Sequence, residues 1–373
     1  MIKIHKIESF VYRYPLENPV ITSFGHMYSR PMVLVKITDK DNDVGWGEIW
    51  CNFPQVGAEH RAKLIDTVFE PIMLNMEIID AEKTYIELNK KTSILAIQCG
   101  ESGPISQCIA GLDIALNDLI AKKEQIPLWK KFGGKKHLVP IYASGINPSS
   151  AEDQVKFALK NYFQAFKLKV GFGMETDLHN LKIIRKYIGK NHSLMIDANQ
   201  GWDEKNAIEN CKHFEKYELS WAEEVIPADS DINNWKEVNE KINIPLAAGE
   251  NFTNEKVFKN FIDNKIFSIL QPDIAKWGGF SVVNKLSRLI EKSNIGYCPH
   301  FLGGGIGLIA SAHALSASRG NGILEVDINN NPLRENLVGE MFTKVPGMAY
   351  LSDSPGLGIE PNLKSIETFL IKH

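Results

Sequence analysis

The spacing of apolar and polar positions changes character near Lys135. Before it, the stretches KIESFVYRYP and MVLVKITDKDNDVGWGEIW alternate, with a turn expected at Asp41-Asn42-Asp43. Helical spacing follows in AEHRAKLIDTVFEPIM, in AEKTYIELNKK and from Ile105 to about Lys123. Strands followed by helices predict a separate α+β capping domain over residues 1–135. From Leu138 onward, short apolar runs recur, each closing on a polar residue and each followed by a helical stretch. They are VPIYASG, AFKLKVG, SLMIDANQ, LSWAEEVIP, IPLAAGEN, SILQPD, IGYCPH and GILEVD. Such alternation predicts parallel β/α units, and eight in about 190 residues predict an α/β fold closed into a (β/α)7β TIM-like barrel over 136–345. The remainder, 346–373, joins a turn-rich SDSPGLGIEPN to a short amphipathic LKSIETFLIK. It is expected to pack back on the capping domain and complete it.

Composition narrows the function classes. The 373 residues suit one large and one smaller domain. A net charge of −3, with both signs spread along the chain, marks neither a nucleic-acid footprint nor a membrane-facing stripe. The five cysteines are widely spaced with no C-x-x-C pair, which argues against a disulfide framework and a zinc-thiolate site. MIKIHKIESF holds no apolar signal core, and no run reaches membrane-spanning length. A reducing cytoplasm and a small-molecule substrate are the expectation.

In such a barrel the active site forms at the C-terminal strand ends. Those ends supply Lys167 and Lys169, then Asp197 and Asn199, Glu223 and Glu224, Glu250, Asp273, His300 and Glu325. Asp197, Glu223 and Glu250 are separated by 26 and 27 residues, one β/α unit each. Neighbouring strands lie about 4.8 Å apart, so the three carboxylates can converge. Bare carboxylates that close repel one another, and an all-oxygen set favours Mg²⁺ over zinc. Lys167 and Lys169 share one face of their strand. Crowded beside a cation, they are expected to have depressed pKa values, as a lysine base needs. Asp273 and His300, 27 residues apart, can pair so that the carboxylate orients the imidazole. A protonated Glu325 can donate a hydrogen bond to a substrate carboxylate. His313, inside a helical stretch, reads as structural. Gly303-Gly304-Gly305-Ile306-Gly307 lacks the final glycine of a dinucleotide loop and is read as a close backbone turn.

With these residues in place the chain resembles the enolase superfamily, and within it the mandelate racemase subgroup, over essentially its whole length. The KLK at 167–169, the acidic series Asp197, Glu223 and Glu250, the Asp273–His300 dyad and Glu325 carry the resemblance. It implies a Mg²⁺ cofactor, Lys169 and His300 as bases on opposite faces of the substrate, Lys167 on the substrate carboxylate, and a homo-oligomer. Relatives that resemble muconate lactonising enzyme place a lysine base where Asp273 stands, and Lys276 is not assigned that role.

The expected chemistry begins with removal of the α-proton of a carboxylate, leaving an enediolate. Loss of a β-hydroxyl then gives dehydration of an acid sugar to a 2-keto-3-deoxy acid. Return of a proton by the opposite base gives a racemase or epimerase instead. Readings of other classes are a catalytically silent ligand-binding barrel and a two-carboxylate glycosidase that works without metal. Substrate contacts are expected from capping loops that offer His26, Tyr28, Arg30, Asn52 and His60, with Asn199 from the barrel.

Overall fold

The computed structural model describes residues 2–22, 25–318 and 320–372. The alternating N-terminal stretches form three antiparallel strands, β1 (Ile4–Thr22), β2 (Gly25–Asp39) and β3 (Val44–Ile49). Their inner face packs on helices Gly57–Leu64, Ala81–Cys99 and Ser102–Lys123 through Val11, Val33, Val35 and Ile37, all buried. The first two strands extend beyond the sequence expectation. ENPVITSFGHMYSRP, read as a loop, continues the β1–β2 hairpin, with Val20 paired to Met27 and Ile21 to His26.

Eight parallel strands follow in the expected places. They are β4 (Leu138–Ile146), β5 (Ala165–Lys169), β6 (Ser193–Asp197), β7 (Trp221–Glu223), β8 (Leu246–Ala248), β9 (Ile269–Leu270), β10 (Gly296–Tyr297) and β11 (Leu324–Asp327). Their spatial order is β10-β9-β8-β7-β6-β5-β4-β11. The sheet therefore curls until β11 lies beside β4, and the seam falls between β10 and β11. Among the described residues no backbone ladder crosses it. The two-residue β10 runs into Pro299, which has no N–H to give to a ladder. The Phe301 N–H spans the seam to Glu325 Oε2 at 3.0 Å.

A helix follows each strand from β4 to β10, and local chemistry sets its ends. In Glu255–Asp263 the Asn254 side chain caps the first turn by accepting from the Val257 N–H (3.1 Å). Phe258, Phe261 and Ile262 then recur on one face and are buried against Trp235, Phe252 and Phe267. No helix among the described residues is long and apolar enough to cross a membrane.

Strand alternation stacks two layers inside the barrel. Tyr142, Ala165, Met195, Trp221, Ala247 and Cys298 form an apolar plug. Two residues further along the same strands stand Ser144, Lys167, Asp197 and Glu223, all buried. The plug is the dry floor of the polar layer.

The C-terminal residues tie the parts together. β12 (Met348–Tyr350) pairs antiparallel with β4, and β13 (Leu370–Ile371) pairs with Tyr12 and Val11 of β1. The amphipathic LKSIETFLIK is a 3-10 turn, Leu363–Phe369, ending in that strand. His313 is fully buried where these parts meet. Its Nδ1 accepts from the Trp129 N–H (2.9 Å), and its Nε2 lies 3.1 Å from the Leu357 carbonyl. That is a neutral ring, and burial pushes its pKa down to about 4 from 6.5. The folded value lies below the unfolded one. The stabilisation is therefore complete above about pH 6.5 and is lost as pH falls toward 4. Urea unfolding at pH 7 and pH 5 is expected to show wild type losing about 2 kcal/mol more than His313→Gln.

Candidate active site

The polar layer opens into a cavity of about 290 Å³ at the C-terminal strand ends, beneath the capping sheet. Lys169, Asp197, Glu250, His300 and Glu325 line it from the barrel. Val20 and Met27 reach it from the β1–β2 hairpin, and Trp50, Asn52 and Phe53 from the segment after β3. Register explains the barrel side, because Lys169, Asp197 and Glu223 lie level on β5, β6 and β7. Just beyond them Asn199, Gln200 and Glu224 take left-handed backbone, with φ of 44°, 63° and 42°. Such conformations cluster at functional sites.

Lys167 lies under the lining and is 2% exposed. Its Nζ is 2.7 Å from both Glu223 Oε1 and Glu325 Oε1, and 3.9 Å from Asp197 Oδ2. Burial works against the ammonium, but the Glu223 and Glu325 charges outweigh it and hold its pKa well above the lysine range. Its nearest charges are carboxylates rather than its neighbouring lysine. Lys169 stands apart, with Nζ donating to Asn199 Oδ1 at 3.0 Å, and Asn199 in turn is anchored on Asp197 (3.0 Å).

His300 carries a carboxylate on each nitrogen. Nδ1 is 2.7 Å from Asp273 Oδ2, and Nε2 is 2.7 Å from Glu250 Oε2. Asp273 is itself held by the Ala275 and Lys276 N–H groups at 2.9 and 3.1 Å. Burial alone lowers the pKa of His300, but Glu250, Glu325 and the Asp273 hydrogen bond raise it well above the usual histidine range. Glu325 shares the Lys167 ammonium with Glu223. It accepts from Lys167, the Ser144 hydroxyl and the Phe301 N–H. Burial raises its pKa, but Lys167 and His300 bring it below the carboxylate range.

The three acidic strand ends are neighbours without being gathered at one point. Among the described residues, only Asp39, Asp41 and Asp43 bring oxygens within 4.8 Å of one another, and the Lys123 ammonium sits among them. In the barrel each carboxylate turns to its own partner. Glu223 holds Lys167 and accepts from Gln271 Nε2 (2.6 Å), Glu250 faces His300, and Asp197 faces Asn199.

The capping residues need correction. Strand alternation turns Met27 into the cavity and leaves His26 and Tyr28 off its lining, their rings stacked at 6.1 Å and Tyr28 61% exposed. Arg30 is buried against Asp327 at 2.7 Å and joins the hairpin to β11. His60 lies 3.2 Å from Glu101, off the lining. Asn52 and Asn199 do line the cavity, and Asn52 Nδ2 also donates to the Leu302 carbonyl (2.7 Å). Lys276, left unassigned from sequence, is part of the lining. Its Nζ lies over the Trp50 ring at 4.5 Å, donates to Asn251 Oδ1 (2.6 Å) and is 4.0 Å from Glu250 Oε2. Its only signal in the sequence was its place three residues beyond Asp273.

Comparison with known proteins places this architecture. Residues 6–133 match the family described as Mandelate racemase / muconate lactonizing enzyme, N-terminal domain, and residues 150–365 match Enolase C-terminal domain-like. A crystal structure of mandelate racemase/muconate lactonizing enzyme from Bordetella bronchiseptica RB50 is 41% identical. It covers 98% of this chain and 99% of its own, with a TM-score of 0.93. D-galactarolactone cycloisomerase of Agrobacterium fabrum is 29% identical over 99% of each chain. Arabinonate dehydratase of Saccharolobus solfataricus is 27% identical over 88% of this chain and 87% of its own. Further curated relatives are named as dehydratases, racemases and epimerases. Two successive family matches and likeness to solved and curated proteins along the full length make this chain an enzyme of the mandelate racemase / muconate lactonizing enzyme family, within the enolase superfamily.

Proposed function

We propose that the enzyme takes the α-proton of an acid-sugar carboxylate with Lys169 and expels a β-oxygen substituent with the help of His300. The observation that carries this reading is that Lys169 and His300, from β5 and β10, line one cavity. The strands that present Asp197 and Glu250 lie between them in the sheet order. Lys169, having given its own proton to solvent, accepts the α-proton, and the C–H electron pair becomes that of an enediolate. As the electrons return, the β C–O bond breaks and the His300 imidazolium gives its proton to the departing oxygen. The enol tautomerises to a 2-keto-3-deoxy acid. A hydroxyl as leaving group makes this a dehydration, as in the name of arabinonate dehydratase, and a ring oxygen makes it a cycloisomerisation. Lys167, held charged under the cavity, contributes positive potential beneath the substrate carboxylate.

Asp197, Glu223 and Glu250 are the residues proposed to hold Mg²⁺. The fit rests on charge and on donor type. Six carboxyl groups (Asp197, Glu223, Glu224, Glu250, Asp273, Glu325) meet three ammonium groups (Lys167, Lys169, Lys276) and one imidazole (His300). Carboxyl groups thus outnumber the basic ones, and the crowding shows at Glu224, where burial and the Glu250 charge raise the pKa well above the carboxylate range. Glu224 Oε2, in the same buried acidic group, has no hydrogen-bond partner. When bound, the cation supplies charge stabilisation to the developing enediolate oxygens.

Racemisation or epimerisation is the second reading. It is favoured by the same two residues reaching one cavity from different strands, and by relatives named for such activities. A panel of acid sugars and α-hydroxy acids, incubated with Mg²⁺ in deuterated water, separates the two. Keto-acid product is expected, and α-deuterium incorporation without any keto acid overturns elimination in favour of racemisation. A cytoplasmic homo-oligomer is proposed with it. Free cysteines support the compartment, and Ile86, Ile94 and Ile97, exposed along helix Ala81–Cys99, support the assembly.

A further inference from the structure

The glycine-rich run after His300 has no nucleotide fingerprint, yet it does receive a carboxyl group, and the group belongs to the protein. Glu48, on β3 of the capping sheet, is 2% exposed. Its Oε1 accepts from the Gly304 N–H, and its Oε2 accepts from the Gly307 N–H at 2.8 Å. These amides open the helix Gly305–Ala317, where the first N–H groups have no partners within the helix. Gly304, the residue at the cap, has no side chain with which to satisfy them. Among the described residues no lysine or arginine pairs with Glu48. Burial raises its pKa to about 7 even though the Gly307 and Gly304 amides hold it down. The glycines are the space that this carboxylate requires. A Cβ on Gly303 would stand 2.7 Å from Glu48 Oε1, and one on Gly304 would stand 2.1 Å from Met32 Sδ.

The same edge of the capping sheet makes two more contacts with the barrel. Asn52 Nδ2 holds the Leu302 carbonyl at 2.7 Å, and the Trp50 N–H donates to the Ala275 carbonyl at 3.2 Å. Residues 48–52 thereby grip both segments whose starts carry the paired Asp273 and His300. Of these contacts Glu48 is the firmest, because one buried carboxyl group takes two amides. It lies off the cavity lining, and among the described residues no hydrogen bond or ion pair joins it to Lys169 or to the three acidic strand ends.

We propose that Glu48 is a positioning residue for His300: from the capping sheet it fixes the loop that begins at His300, and so keeps the imidazole aimed at the departing oxygen. This rests on the reading of His300 as the proton donor in elimination.

The test compares Glu48→Gln with the wild-type full chain on one acid sugar and Mg²⁺ in deuterated water. The glutamine keeps the size but presents an NH₂ group to amide donors. Keto-acid formation is expected to fall about 10²-fold, the scale of a 1 Å misplacement. Substrate then returns carrying α-deuterium, because Lys169 still works. Glu48→Asp, which keeps the charge but has a shorter reach, is expected to fall between the two. It carries the same comparison if the glutamine variant does not fold. Equal loss of both processes, or loss of neither, overturns the proposal. If the wild-type enzyme neither exchanges the α-proton nor forms keto acid on any substrate, the functional reading is what has failed. The Nδ1–H resonance of His300 in ¹⁵N-histidine protein, assigned by its loss in His300→Asn, then decides without substrate. A shifted or broadened signal in Glu48→Gln supports the positioning role, and an unchanged one refutes it.

Discussion

With Lys169 changed to methionine, kcat is expected to fall by about 10²–10⁴-fold, the contribution of a positioned general base. The melting temperature is expected to stay close to wild type. The methionine fills a similar volume, and among the described residues the hydrogen bond lost is the one to Asn199 Oδ1. Asn199 keeps its anchors on Asp197 through its own N–H (2.8 Å) and Nδ2 (3.0 Å). Lys167→Met is expected to behave differently. It strands Glu223 and Glu325, both fully buried, without the ammonium they share. Removing one partner of a buried ion pair costs about 3–5 kcal/mol, so this variant loses stability together with activity. Steady-state kinetics and urea unfolding on the two variants separate a chemical role from an electrostatic one. If Lys169→Met turns over at the wild-type rate, the base is misassigned.

The second large effect is that of metal removal. Dialysis against a chelator is expected to abolish turnover, and Mg²⁺ is expected to restore it. Binding can also be read without substrate. A cation bound at 100 times its Kd stabilises the folded state by about 2.7 kcal/mol, so Mg²⁺ raises the melting temperature of chelated protein. Asp197→Asn and Glu250→Gln are expected to lose that increment. Asp41→Asn, at an exposed carboxylate of the separate group gathered on Lys123, is expected to keep it. Full activity after chelation contradicts the metal assignment and reopens a two-carboxylate mechanism.

The barrel was legible in the sequence because each strand is a short apolar run that ends where the site begins. The period of two that makes β5 a strand also puts Lys167 and Lys169 on its inner face. What the sequence left obscure has physical causes. Whether ENPVITSFGHMYSRP forms a loop or a hairpin depends on pairing across the chain, and that pairing decides that Met27 rather than His26 faces the cavity. The lysine pair was weighed against a cation, but the deciding neighbour of Lys167 is Glu325, 158 positions away and brought close only by barrel curvature. Lys276 lies beyond the strand end in a turn, where periodicity says nothing of direction. Glu48 was invisible as a functional residue because its partners are backbone amides, which leave no side-chain signature.

The central claim is that Lys169 removes the α-proton before His300 acts. It is tested most directly by incubating His300→Asn with an acid-sugar substrate and Mg²⁺ in deuterated water, and following the α-hydrogen by NMR. The claim predicts substrate that exchanges its α-hydrogen for deuterium while keto-acid formation is lost. Substrate that keeps its α-hydrogen untouched, or keto acid formed at the wild-type rate, contradicts it.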